Sequence, residues 1–167
     1  VLSDDFTIVD GSMNLVHALY LNNDYEPLSN PLVRQALNYA VDRASINDFL
    51  FGGASHLIGT HMLPALERYY NADTEGYDPE KAKELLTEAG YADGFELSIM
   101  VPSSYSQHVS TAEIIVENLK AVGIDAKLDL VEWSTWLSEC YQGRKYEATV
   151  IGVDGKLAPS DWLTKYV

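Results

Sequence analysis

The sequence predicts an α/β fold: a mixed sheet with a parallel β-α-β-α-β unit, flanked by helices. Three observations support this. From residue 95 onward, stretches of apolar alternation take turns with stretches of helical spacing. Two upstream segments, "NPLVRQALNYAVDR" and "DPEKAKELLTEAG", each open on a capping side chain followed by proline. The chain has 167 residues, 47% of them hydrophobic, enough for one core and one domain spanning 1–167.

The elements follow in order. "FTIVDGSMNLVHALYLNN" holds two β-rich pieces, about residues 6–9 and 15–22, joined through Asp10, Gly11 and Ser12. In the second, Val16, Ala18 and Tyr20 alternate with His17, Leu19 and Leu21, so its two faces differ. Asn30 caps the next helix, with Pro31 where a missing N–H costs nothing, and Val33, Ala36, Leu37, Ala40 and Val41 form its apolar stripe. Arg34 and Asn38 share its polar side, while Asp42 and Arg43 mark the junction into a second helix. Ile46, Phe49 and Leu50 give that helix its apolar set, and Gly52-Gly53 stops it. Residues 54–77 lack a sustained period and form a connection with a short turn near Pro64 to Tyr70. Asp78 caps the next helix, Glu80 complements its positive end, and Gly90 ends it. Ala82, Leu85, Leu86 and Ala89 are its buried positions. Then come a strand over 95–101, a helix over 106–122 with Ala112, Ile115, Val116 and Leu119 inward, a strand over 124–131, a helix over 134–142 and a strand over 146–152. That order predicts neighbouring parallel strands joined by right-handed crossovers.

Charge and motif content narrow the function classes. Eleven Lys+Arg stand against 25 Asp+Glu, a net charge of −14. Without basic clusters, such a surface disfavours nucleic acid and anionic membrane. No apolar run is long enough for a transmembrane helix. "VLSDDFTIVDGSMN" lacks the basic and apolar regions of a signal peptide and reads as the interior of a longer chain. Cys140, the single cysteine, permits no internal disulfide and fits a helix-face position better than a nucleophile. His56 and His61, five apart in "SHLIGTHM", have no third ligand at a recognisable local spacing, so they read as ordinary loop histidines with no metal. No nucleophile elbow, phosphate loop or dinucleotide fingerprint is present. An enzyme is therefore the weaker expectation, with no catalytic residue and no cofactor singled out.

The aromatics point to where binding occurs. Ligands of open α/β sheets sit beyond the carboxyl ends of the parallel strands. Three stretches meet that criterion: "PSSYSQ", "EWSTW" and "GVDGKLAPSDW". Trp136, at helical spacing from Cys140, reads as core. Trp133, just ahead of the helix, is open to either reading.

Three motifs, "NPLVRQALNYAVDR", "YDPEKAKELLTEAGYADGFEL" and "VEWSTWLSECYQGRKYEATVIG", occur here in the order and spacing of one family. The chain resembles the extracellular solute-binding proteins of the oligopeptide, dipeptide and nickel class, the capture components of ABC importers. The resemblance runs from about Asn14 to Trp162. It implies one lobe of a two-lobed, type II periplasmic-binding-protein-like fold that closes on its ligand, with the first lobe lying upstream. It also implies a monomer outside the cytoplasm, periplasmic or lipid-anchored, that delivers peptides or a related small solute to permease subunits. By the same resemblance Ser103, Ser104, Tyr105 and Trp133 line the ligand cleft. Where the family usually has Gly-Trp, then an acidic residue that holds a peptide's amino terminus, then proline, this chain has Gly152, Val153, Asp154 and Pro159. Val153 replaces the tryptophan and the step to Pro159 differs by about one residue, so Asp154 is a departure from the pattern as much as a match to it. A ligand-sensing domain of a transcriptional regulator with the same fold is the alternative, and a hydrolase using His56 and His61 is a third.

Overall fold

The computed structural model describes residues 7, 11, 13–71, 75–156 and 158–166. The β-rich piece expected over 6–9 lies, apart from Thr7, outside the described residues. Twelve elements are formed among the described residues. They are β1 (Leu15–Leu21), α1 (Glu26–Ser29), α2 (Pro31–Ala40), α3 (Arg43–Phe51), α4 (Pro79–Glu88), β2 (Glu96–Pro102) and α5 (Ser106–Ala121). After these come β3 (Asp125–Val131), α6 (Trp133–Thr135) running into a π-helical turn (Trp136–Gln142), β4 (Ala148–Asp154) and α7 (Pro159–Tyr166).

The helix starts are set by side chains. Asn30 Oδ1 accepts from the Leu32 amide at 2.9 Å, ahead of Pro31. Val41 then turns extended and ends α2, and Asp42 caps α3 by accepting from the Ser45 amide at 3.0 Å. Asp78 does the same for α4 through the Lys81 amide at 2.9 Å. Each bond satisfies an N–H that the helix itself leaves unpaired. Arg34 Nη1 donates to the carbonyls of Leu28 and Ser29 at 2.7 and 2.8 Å, tying α2 to the end of α1. The α2–α3 junction is fixed from α5, where Asn118 Oδ1 accepts from the Asp42 amide.

The four strands lie in the order β1-β4-β2-β3, with β2 parallel to both β3 and β4, and β1 antiparallel to β4. The expected consecutive neighbours hold for β2 and β3. From β3, however, the chain passes back over β2 to place β4 on its other side. The two crossovers therefore run in opposite directions, and crossovers of one hand must then lie on opposite faces. Packing agrees. The core cluster of α2–α5 takes in Leu97, Ile99, Val101 and Val150, while Trp136 and Cys140 pack with Ile151 and Met100 on the other face.

Four expectations need correction. Phe49 is 80% exposed and belongs to no apolar face. The helix expected over 134–142 is a short α-turn followed by a π-turn, closed by Gly143 N–H donating to the Ser138 carbonyl. The final strand begins at Ala148 and ends at Asp154, two residues later than its apolar pattern suggests. The α7 helix was not expected at all. At the amino end of the parallel unit, Gly94 (φ +75°) has no room for a side chain: a Cβ there would lie 1.8 Å from the Gly123 carbonyl oxygen.

Candidate ligand-binding edge

The central seam of the sheet, between β2 and β4, is only two residue pairs long: Ile99 opposite Ala148 and Met100 opposite Thr149. Side chains complete it. At its amino end Glu147 Oε2 accepts from the Ser98 amide at 2.7 Å. In its middle the Thr149 hydroxyl donates to the Met100 carbonyl at 2.7 Å and accepts from Trp136 Nε1 at 3.0 Å. At its carboxyl end the Gly152 amide donates to His108 Nε2 at 3.3 Å. The strands thus part beyond Met100, and the first turn of α5 reaches into the gap. This parting lies between strands whose crossovers cover opposite faces, the position at which α/β sheets bind ligands.

A row of rings borders that gap. Phe51 meets His17 edge-on at 5.9 Å, and His17 lies 4.6 Å from His108 between ring centroids. Tyr105 stacks on His108 at 5.4 Å and meets Trp133 edge-on at 5.3 Å. Trp133 stacks on Trp136 at 5.2 Å with planes 7° apart, and Trp136 lies 6.0 Å from Tyr141. The row runs from a half-buried end at His17 through an open middle, where Tyr105 is 43% and Trp133 37% exposed, to buried Trp136. Offset and edge-on contacts of this kind hold rings in place while leaving faces free for a ligand.

The structure brings together Ser103, Ser104, Tyr105 and Trp133 at the carboxyl ends of β2 and β3, and sets Asp154 apart from them at the carboxyl end of β4. Ser103 and Ser104 form an exposed turn, pinned where the Ser103 amide donates to the Val131 carbonyl at 2.9 Å. Asp154, the last residue of β4, is exposed opposite Leu15. Just beyond it, the Gly155 amide donates to the Asn14 carbonyl and Asn14 Nδ2 donates back to the Gly155 carbonyl. Val153 differs from these residues. It is half-buried and packs against the apolar groups around Met62 and Trp136, on the face opposite Asp154. Trp136 is core, as its spacing suggests, and Trp133 is the exposed partner of the pair.

Sequence reasoning passed over His17 and His108. Their rings meet at 3.0 Å between His17 Nε2 and His108 Nδ1. Burial holds His17 down at about 4, with neighbouring His108 adding to the effect, and burial lowers His108 as well. Only one signal for the pair was present in the sequence: His108 stands three residues after Tyr105, one helical turn away. The histidines singled out beforehand lie elsewhere. His56 is exposed, and His61 sits beside Tyr20, lowered by burial. Among the described residues no three His, Cys, Asp or Glu side chains are placed to hold a metal ion. Cys140 is buried and its thiol is pushed up to about 11, the reverse of an activated nucleophile.

Residues 2–166 match the family described as bacterial extracellular solute-binding proteins, family 5, middle region. The chain is 32% identical over 156 residues to di/tripeptide-binding protein 1 of Pseudomonas aeruginosa, covering 90% of this chain and 29% of that protein. It is 34% identical over 140 residues to heme-binding protein A of Haemophilus influenzae, covering 80% of this chain and 25% of that protein. Among solved structures it is similar to the PBP AgaA of A. tumefaciens R10 in complex with agropinic acid. That similarity has a TM-score of 0.81 and 36% identity, and covers 91% of this chain and 31% of that one. The chain therefore spans less than a third of the length of these relatives.

Proposed function

The chain belongs to the bacterial extracellular solute-binding proteins of family 5, and on that premise we propose that it is one lobe of an ABC importer's solute-binding component. In this reading the whole protein works outside the cytoplasm, captures peptides or a related small solute between two lobes, and passes it to permease subunits. It performs no chemistry on its cargo. A ligand that touches both lobes favours the closed form by its differential affinity, and the closed form is what the permease receives.

One observation supports this most directly: the exposed Tyr105–Trp133 pair stands where β2 and β4 part, with Asp154 at the end of β4. Aromatic faces suit the side chains of a bound peptide. A carboxylate at the rim, stripped of water on closure, suits its ammonium group. Ser103 and Ser104 offer exposed hydroxyls beside them. Val153 contributes by packing beneath the rim. The named ligands of relatives, di/tripeptides, heme and agropinic acid, define the range from which this cargo is drawn.

The test is calorimetry on the full-length, two-lobed protein against a panel of di- and tripeptides, with heme and opine-type compounds as comparators. The expected outcome is heat with peptides. A Trp133→Ala variant should then bind about tenfold more weakly, a loss of roughly 1.4 kcal/mol, with its thermal midpoint nearly unchanged because the ring is already part-exposed. Heat from heme or opines alone would overturn the peptide assignment. Unchanged peptide affinity in Trp133→Ala would remove Trp133 from the site.

A further inference from the structure

The histidine pair beside the edge has bonds of one direction only. The Gly152 N–H can only donate, so Nε2 of His108 is its bare nitrogen and Nδ1 carries the proton. That proton faces His17 Nε2 at 3.0 Å, which must in turn be bare, with the proton of His17 on Nδ1. The chain Gly152→His108→His17 thus requires two neutral rings. A proton added to His17 fills Nε2 and sets it against His108 Nδ1–H. A proton added to His108 fills Nε2 and sets it against the Gly152 N–H. Shifting the tautomer of His108 only moves the conflict from one bond to the other.

His108 is also the backing of Tyr105. Its ring stacks on the phenol at 5.4 Å, and its own amide donates to the Tyr105 carbonyl at 3.0 Å. Tyr105 has no side-chain cap bond of its own to fix the start of α5. Around the pair, α3 presents Phe51, β4 presents the Gly152 amide and the loop before α5 presents the Tyr105 phenol. Along β4 the next carboxylate is Asp154, exposed and two residues beyond Gly152. The groups named in contact with the pair are neutral, and burial favours the uncharged form of both rings.

We propose that His17 and His108 are positioning residues: as a neutral relay anchored on the Gly152 amide they hold Tyr105 against Trp133, and protonation of the relay frees Tyr105 and weakens ligand capture in acid. The proposal rests on the solute-binding reading of the edge for its consequence, but not for its geometry.

Two measurements on the full-length protein separate the relay from the function. With ¹⁵N-labelled histidine, both rings should appear as the neutral Nδ1–H form at neutral pH. The Tyr105 ring signals, assigned through Tyr105→Phe, should shift as acid titrates the pair and share its midpoint. In a His17→Leu variant that shared acid step should disappear. Histidines that titrate near the ordinary value of about 6.5, or a Tyr105 signal flat through their titration, would overturn the proposal. In the second measurement, affinity for Ala-Phe should fall about tenfold between neutral pH and about pH 4 in the wild type and change less in His17→Leu. A wild-type affinity that holds through the titration would also overturn the proposal. If Ala-Phe gives no binding at any pH, the affinity measurement is made with the peptide that gives heat in the panel; if no peptide does, the peptide reading fails and the nuclear resonance experiment alone judges the relay.

Discussion

The two ends of the β2–β4 seam are finished in opposite ways. At the amino end a carboxylate, Glu147, accepts from the Ser98 amide. At the carboxyl end an imidazole, His108, accepts from the Gly152 amide. Both groups restore a backbone bond that the short ladder leaves out, and an unmet buried N–H would cost free energy in either place. They differ in what can undo them. A carboxyl group keeps an accepting oxygen even when protonated, whereas a neutral imidazole has one accepting nitrogen and loses it on protonation. The surroundings differ as well. The amino end lies away from the aromatic row, at the end of the sheet where Gly94 and Gly123 meet ahead of β2 and β3, while the carboxyl end opens onto exposed aromatic rings. The acceptor that protonation can remove thus stands at the end proposed to bind ligand, and the one that persists stands opposite.

The sharpest test of the seam is at its middle. Trp136, 4% exposed, lies on the stitch between Thr149 and Met100 and also backs Trp133. Trp136→Ala should cost about 3–5 kcal/mol in chemical denaturation, from lost burial and the cavity left behind. Trp136→Phe, which keeps one aromatic ring but gives up the Nε1–H bond and part of the indole's volume, should cost less, about 1–3 kcal/mol. Equal losses for the two variants would show that the bond, and not the packing, closes the seam.

Next in size is acid sensitivity at the carboxyl end. His17 holds its proton at about 4 in the folded chain against an ordinary value of 6.5. Between those values the unfolded chain carries more protons, so stability is complete above the upper value, falls as the pH is lowered, and loses nothing further from this group below the lower one. Its share is at most about 3 kcal/mol. The urea midpoint measured across that window should fall in the wild type and fall less in His17→Leu. A midpoint as steep in the variant would assign the loss to other groups.

Much of this molecule was legible in its sequence, and what was not has physical reasons. The caps Asn30 and Asp78, the stripes of α2, α4 and α5, and the α/β class follow from local rules, because a cap bond and an apolar face involve residues within one or two turns. Strand order did not follow. Alternation in β4 says which face is buried, but not whether the strand settles beside β3 or beyond β2. The π-turn also escaped, since the spacing of Trp136 and Cys140 suits an α-helix equally well. At the edge, Tyr105 and Trp133 were placed by the strand-end rule and the family resemblance. The histidine pair was invisible because its members lie 91 residues apart and meet only once β1, β4 and α5 have packed. Val153 stands where the family has tryptophan, and its packing with Trp136 and Met62 on the face opposite Asp154 was likewise set by contacts distant in sequence.

The smallest expected effect belongs to the amino end. Glu147 is half-buried and its bond to the Ser98 amide is short, so Glu147→Ala leaves one N–H unmet at a site that water can partly reach. A loss of about 1 kcal/mol is expected, near the lower end of what an orphaned donor costs. Glu147→Gln, whose amide oxygen can still accept, should recover most of it. Neither variant should alter the pH at which Tyr105 moves or the affinity for ligand, since both lie at the end of the sheet away from the aromatic row. Should Glu147→Ala weaken binding as much as it weakens folding, the two ends of the seam would be mechanically coupled, and the division between a fixed end and an adjustable one would fail.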